Sequence, residues 1–452
     1  MRRLLLLCVL LLTLPLAPPL ARPATAHVAR RLPIVFVHGN SGSATQFQTQ
    51  FQRFAANGYP QRLLFAYEYD SSRPTDAEAV AGLDTFLDGV RGSGKVLLVA
   101  HSRGTGISQA YLAAHAGKVA RYVNLDGRSS ATLPGGVPTL ALWGEWQSPP
   151  GPVLGAVGSI AGATNVYHRD FGHTETVSSP VSFVEMHRFL LGRDPRTTAV
   201  TPSRGLLVRV AGRTVIFPQN AGFAGAELQV WAVHPGTGRR LLRVARQAVD
   251  AGGEFGPFTL LRGVSYEFAV IRPGGTVHHF YQRPFLRDDH FVRLNSAPVG
   301  TGLEALLPRG PGHVNLVLTR AREMWGDQAG DNDVLTVNGR NVLTPSVSPR
   351  SSNRASPTGN VGENNALFLS DVGAALPGGT GYLGPDRQSD LSKGQLFPFT
   401  TLTFLSAADV YVPAQGTVRL FMRARGSHQT TAIAVPAWPS DQHRVTVSFP
   451  DS

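Results

Sequence analysis

The residues best suited to chemistry stand in the run Ala100-His101-Ser102-Arg103-Gly104. A serine hydroxyl is a weak nucleophile until a base takes its proton and a third group orients that base, so a reactive serine needs a histidine and an acid elsewhere in the chain. Here the serine follows a short apolar run, Lys95 to Ala100 (KVLLVA), and precedes a segment of helical character from about Gly104 to His115. A strand that turns sharply into a helix strains the backbone of the turn residue, and the residues two before and two after it must be small or their Cβ atoms collide. Ala100 and Gly104 meet that demand. Such a turn presents Oγ at the carboxyl end of a strand, above a helix N-terminus that favours developing negative charge. The expected chemistry is attack of Ser102 on an acyl carbonyl.

The base is expected downstream, in the order serine, acid, histidine. His173 in Asp170-Phe171-Gly172-His173 lies between an extended segment (Asn165 to His168) and a closing helix (Val181 to Leu191). Its rivals are His168, at a strand end, and His187, within the helix. The residues leave two acids open: Asp126, which ends the run Arg121 to Leu125, and Glu145, which follows the next run, Thr139 to Trp143. The later strand is the commoner place and favours Glu145. Two backbone N–H groups are candidates for an oxyanion hole: that of Asn40, after Val37-His38-Gly39, and that of Arg103. Because these donors are main-chain groups, the side chains of Asn40 and Arg103 are not required. His38 and His101 read as structural or pocket-wall residues.

These groups need a scaffold. Leu32 to His38, Leu63 to Tyr67, Lys95 to Ala100, Ala120 to Leu125 and Thr139 to Trp143 are short apolar strands. Phe47 to Ala56, Thr75 to Val90 and Gly104 to His115 read as helices between them. Apolar strands without alternation, interleaved with helices, predict an α/β fold whose mostly parallel sheet is buried on both faces. Near residue 195 the pattern changes. Asp194-Pro195-Arg196-Thr197-Thr198 reads as a linker, and short alternating segments with Gly, Pro and Asn-Gly turns follow, an all-β reading. The expected division is a leader over 1–26, a catalytic domain over 27–198, a small sandwich-like module over 199–285 and a second β-rich module over 286–452.

The leader has Arg2 and Arg3 before an apolar run, Leu4 to Leu16, and then Ala24-Thr25-Ala26, the layout of a secretory signal peptide. The expectation is export, with removal of the leader. Cys8 in the leader is the single cysteine, so the mature chain would have neither disulfides nor a thiol nucleophile. Beyond the leader no segment is long and apolar enough to span a membrane. The net charge is +12, of which Arg2, Arg3 and Arg22 lie in the leader, leaving +9 carried almost wholly by dispersed arginines. A nucleic-acid surface needs clustered basic residues with interleaved aromatics, so no nucleic acid is expected as a partner. Asp327, Asp331, Asn332 and Asp333, and also Asp386 and Asp390, are grouped oxygen donors. They lack full calcium-loop spacing and read as solvated loops, so no metal and no cofactor are expected. Trp143, Trp146 and Phe171 lie near the expected site, either lining an acyl pocket or packing its loops.

The chain resembles the two-domain lipases, such as that of the archaeon Archaeoglobus fulgidus. The resemblance lies in Val35-Phe36-Val37-His38-Gly39, Arg53-Phe54-Ala55-Ala56-Asn57-Gly58-Tyr59-Pro60, Ala163-Thr164-Asn165-Val166-Tyr167, Pro284-Phe285-Leu286-Arg287-Asp288-Asp289 and Ser406-Ala407-Ala408-Asp409. It implies an α/β-hydrolase domain followed by a β-rich lipid-binding region, a lipid or ester substrate, and surface contact through the β region. It also implies that the acid is Asp126, with Ser102 and His173 as its partners. The long lid insertion of that family has no counterpart, since only Ser71 to Gly94 fills the gap. The function expected is a secreted serine carboxylic-ester hydrolase, a lipase or esterase. The residues leave open a polyester, thioester or amide hydrolase of the same fold, or a surface-binding protein with a relict hydrolase domain.

Overall fold

The computed structural model describes residues 31–144, 147–148, 151–152, 158–168, 170–349, 364–373, 384–393, 396, 398–402 and 404–451. Glu145, Trp146 and the leader 1–26 lie outside the described residues.

Among the described residues, the amino-terminal part forms a six-stranded sheet. Its strands are β1 (Ile34–Val37), β2 (Leu64–Tyr67), β3 (Val96–His101), β4 (Val119–Leu125), β5 (Thr139–Gly144) and β6 (Thr164–His168). They lie in the order β2-β1-β3-β4-β5-β6, with every neighbouring pair parallel. Two apolar layers explain why the strands show no alternation. On one face Phe36, Leu97, Val99, Val123 and Leu125 meet Phe51 and Phe54 of α1 (Gln48–Ala56) and Phe183 and Met186 of a closing helix, Pro180–Leu191. On the other, Val35, Val37, Leu98 and Ala100 meet α2 (Ala77–Arg91) and α3 (Arg103–His115). The chain is an α/β hydrolase fold. The short Ser71–Gly94 stretch is spent on α2, which buries Leu83 and Leu87. The closing helix is fixed at both ends: Ser179 Oγ accepts from the Ser182 N–H, Pro180 opens the first turn, and Gly192 closes it at φ 70°.

The carboxyl-terminal part is β-rich. Its largest sheet takes Val277–Gln282, His443–Phe449 and Leu316–Arg320 as consecutive neighbours, both pairings parallel. This sheet runs continuously across the boundary expected at 285. Asp289–Ser296 likewise pairs in parallel with Leu207–Ile216, beyond that boundary. Among the described residues no helix is long and apolar enough to cross a membrane.

The β region is joined to the hydrolase sheet through one shared core. Phe291 is buried with its ring stacked 4.4 Å from Phe51 and edge-on 6.1 Å from Phe36. The buried Arg53 of α1 donates through Nε to the Thr198 carbonyl at 2.8 Å and through Nη2 to the Asp451 carbonyl at 3.0 Å. Asn57 Oδ1 accepts the Arg196 N–H at 2.7 Å, and its Nδ2 donates to the Thr197 carbonyl at 2.8 Å. The expected linker at Asp194–Thr198 is therefore bonded to α1, because its carbonyls meet buried donors that must be paired. Removing the Phe291 ring should cost about 3–5 kcal/mol. Urea unfolding of Phe291→Ala is expected to keep one cooperative transition at a lower midpoint. Two separated transitions would contradict the shared core.

Candidate active site

Ser102 leaves β3 at φ 50°, ψ −124°, and the next residue opens α3. Asp126 leaves the adjoining strand β4 at φ 41°. Such conformations cost roughly 1–3 kcal/mol each and persist only where surrounding bonds impose them. Here the Ser102 N–H donates to the Leu125 carbonyl at 3.1 Å and the Asp126 N–H to the Leu142 carbonyl at 2.7 Å. The two residues thus sit side by side at the carboxyl ends of paired strands. Gly104 is demanded by close approach: a Cβ there would lie 2.4 Å from the His38 carbonyl oxygen. A Cβ on Gly39 would lie 3.0 Å from the Ser102 Cβ, so the loop after β1 passes directly over the serine.

Asp126 Oδ2 lies 2.7 Å from His173 Nδ1, with both side chains buried. The other carboxylate oxygen accepts the Gly144 N–H at 3.0 Å. The His173 carbonyl is held twice, by Thr176 Oγ1 at 2.7 Å and by His101 Nε2 at 3.1 Å. Gln46 fixes the tautomer of His101: its Nε2 donates to His101 Nδ1 at 2.8 Å, which places the His101 proton on Nε2. Gln46 Oε1 accepts the Gly39 N–H at 3.2 Å. One chain of hydrogen bonds therefore runs from the loop after β1, through Gln46 and His101, to the backbone of His173. Burial, then the neighbouring His173, holds the His101 pKa well below the usual imidazole value.

His38 is also buried and held neutral. Burial lowers its pKa most, against the raising effect of its bond to Gly39. Its Nδ1 donates to the Gly39 carbonyl at 2.8 Å, while Nε2 accepts from the Tyr69 N–H and from Asn220 Nδ2, each at 3.3 Å. The hydrogen bonds of His38 and His101 go to the loop after β1, Tyr69, Asn220, Gln46 and the His173 backbone. The side chains of Asn40 and Arg103, set aside in the sequence reading, prove to be linked. Arg103 Nη1 donates to Asn40 Oδ1 at 3.0 Å and to the Ser71 carbonyl at 2.8 Å, and Nε donates to Asp76 Oδ1 at 2.7 Å. The pairing braces the loop after β1 against the first turn of α3, the two places whose N–H groups are the oxyanion candidates. No local signal in the sequence announces it.

The remaining candidates go elsewhere. Glu145 and Trp146 are outside the described residues. His168 stacks on Phe171 with ring centres 4.5 Å apart, and the buried His187 bonds the Arg193 carbonyl through Nδ1 at 2.8 Å. Trp143 is a packing residue, fully buried with Nε1 donating to Asn165 Oδ1 at 3.0 Å. Asp333 is not in a solvated loop. It is fully buried, paired with Arg320 at 2.9 Å and Arg425 at 2.8 Å, since a carboxylate taken out of water needs countercharge. Among the described residues no group of three or more His, Cys, Asp or Glu could hold a metal ion.

A residue missed entirely is Glu323, which is fully buried beneath the His173 loop. Its two carboxylate oxygens accept the N–H groups of Thr174 (2.5 Å) and Glu175 (3.0 Å), and 149 residues separate Thr174 from Glu323. Burial pushes the Glu323 pKa up, Glu175 adds to this, and Arg425 opposes it.

Residues 31–124 match the lipase (class 2) family, residues 207–298 match the lipase C-terminal domain, and a third C-terminal-domain family covers 302–452. No curated protein matches the sequence. Solved structures similar to parts of the chain include the phospholipase PlaB from Legionella pneumophila, at 9% identity and TM-score 0.30, covering 58% of this chain and 92% of that one. Carboxylesterase CesB from Bacillus subtilis has 13% identity and TM-score 0.27, covering 36% and 85%. A mutant epoxide hydrolase from Bacillus megaterium has 10% identity and TM-score 0.28, covering 36% and 94%.

The neutral histidines carry a pH consequence. A histidine whose folded pKa is depressed binds its proton first in the unfolded chain, so its stabilisation is complete above the unfolded value, near 6.5, and is lost as pH falls below it. The slope is at most about 1.4 kcal/mol per pH unit for each such group. In a urea-unfolding series from neutral to acid pH, His101→Gln should lose stability less steeply than the wild type, by up to one proton's worth. Equal slopes would show that His101 titrates normally in the folded protein.

Proposed function

We propose, for a chain built from a class 2 lipase segment and a lipase C-terminal domain, that it hydrolyses carboxylic esters through Ser102, His173 and Asp126. The observation that carries this reading is the buried Asp126–His173 pair on the strand end beside the strained Ser102 turn. In the proposed mechanism Ser102 Oγ attacks the ester carbonyl carbon and its proton passes to His173 Nε2. Asp126 keeps the proton of His173 on Nδ1 and stabilises the imidazolium that forms. The carbonyl oxygen, now an oxyanion, is received by the N–H groups of Asn40 and Arg103. Collapse of this intermediate breaks the ester C–O bond, and the imidazolium protonates the departing alcohol. Water then repeats the sequence on the acyl-enzyme, releasing the acid and restoring Ser102.

Between Tyr67 and β3 the chain carries only α2 and its turns, so no long lid comes from this stretch, which favours short or bulky esters taken without an oil–water interface. Export belongs to the same reading. The secreted protein should begin at His27, and its intact mass checks this; a full-length mass would overturn it.

The decisive experiment is hydrolysis of p-nitrophenyl esters from acetyl to palmitoyl by the mature protein. Ser102→Ala should lose at least about 10⁴-fold in kcat, and Asp126→Asn about 10⁴-fold. The position of the peak along the acyl series separates esterase from lipase. Activity that survives in Ser102→Ala, or a folded wild type inert on every ester, would overturn the reading.

A further inference from the structure

We propose that the carboxyl-terminal β region is part of the catalytic apparatus, with Glu323 as the positioning residue that holds the His173 loop. The inference rests on the ester-hydrolase reading above and assigns it a further residue.

The geometry is directional. Glu323 receives the two N–H groups that immediately follow His173 in the chain. On the other side of the histidine, a Cβ on Gly172 would lie 2.5 Å from the Glu323 carboxyl carbon, so the carboxylate lies directly against that residue too. Further contacts come from the same region. Asn365 Nδ2 donates to Thr174 Oγ1 at 2.9 Å, Phe404 stands over the His173 ring with centres 6.0 Å apart, and Arg322 pairs with Glu175 at 2.6 Å. Arg425 pairs with Glu175 as well and donates to the Glu323 carbonyl at 2.7 Å.

A buried carboxylate is a poor adhesive, because its desolvation offsets much of what its bonds return. Apolar side chains would hold two layers together at least as well. What two N–H···O bonds from consecutive residues add is orientation of the peptide planes, and hence of the imidazole that faces Asp126. A displacement of about 1 Å at a reacting group can cost roughly 100-fold in rate.

The test uses the full mature chain and a soluble short-chain p-nitrophenyl ester without lipid, so that a change in surface binding cannot affect the result. Glu323→Ala should lower kcat by roughly 10–100-fold with KM changed less than about twofold. The far-downfield proton NMR resonance of His173 Nδ1–H should shift or broaden in the same variant. Glu323→Gln, which keeps one acceptor oxygen, should recover much of the rate, and it carries the test if the alanine variant does not fold. Glu304→Ala removes a buried acid of the same region that pairs with Arg272, far from the loop in its contacts, and should lower the unfolding midpoint while leaving kcat unchanged. Wild-type kcat and an unmoved resonance in both Glu323 variants would overturn the proposal, as would a loss of kcat in Glu304→Ala matching that of Glu323→Ala. The resonance is read independently of turnover. An inert wild type therefore sinks the ester reading, whereas a normal resonance in the variants sinks this one.

Discussion

A carboxylate and an imidazole facing each other at 2.7 Å out of contact with water set the terms for the rest of this structure. Desolvating that pair is costly unless its remaining polar atoms are paired as well. The second oxygen of Asp126 takes the Gly144 N–H, so β5 must end beside β4. The His173 carbonyl takes two donors, one of them His101, the residue before Ser102. The succeeding N–H groups take Glu323. Each requirement recruits another element, and together they account for the placing of loops that have little apolar surface of their own.

The supporting groups are remote in sequence and come from both sides of the molecule. Asn220 donates to the Gly42 and Tyr69 carbonyls and so holds the loop after β1. Glu68, beneath the same loop, accepts the Ala44 N–H and is paired with Arg213 and Arg293. These residues belong to the stretch that matches the lipase C-terminal domain, or bond to it. The six-stranded sheet is thus gripped beside the loop after β1 by the first β stretch and beside the His173 loop by the second.

Much of the sheet was legible because burial on both faces leaves a plain mark: β3, β4 and β5 stand within a residue or so of the runs Lys95–Ala100, Ala120–Leu125 and Thr139–Trp143. The turn at Ser102 was legible for a similar reason, since a clash within five consecutive residues restricts which of them can be large. Local residues did not choose between the candidate acids Asp126 and Glu145, each of which follows a strand-like run in the sequence, and the expectation of Asp126 came from the resemblance. Illegible altogether were interactions closed over long stretches of chain. The Gln46–His101 bond, the Arg103–Asn40 bond and the Glu323 contacts join residues whose local sequence is unremarkable. Within the acidic group, Asp333 alone misled, and for the same reason, because the arginines that neutralise it lie elsewhere. The linker at Asp194–Thr198 has the composition of a free segment, and its bonds to Arg53, Asn57 and Arg188 reveal it as a packed one.

That last attachment bears on ancestry. A hydrolase sheet tethered by a loose string of residues can be shuffled between genes as a cassette, each half free to drift. Here the conformation of the connecting segment is specified by α1, and Arg53 of the same helix also reaches the carbonyl of Asp451 near the far end of the chain. Recombination at this joint would separate donors from their acceptors in both parents. Lineages carrying this architecture should therefore pass on the two halves together, with substitutions at Arg53 and Asn57 tolerated only alongside compensating ones in the segment and the tail.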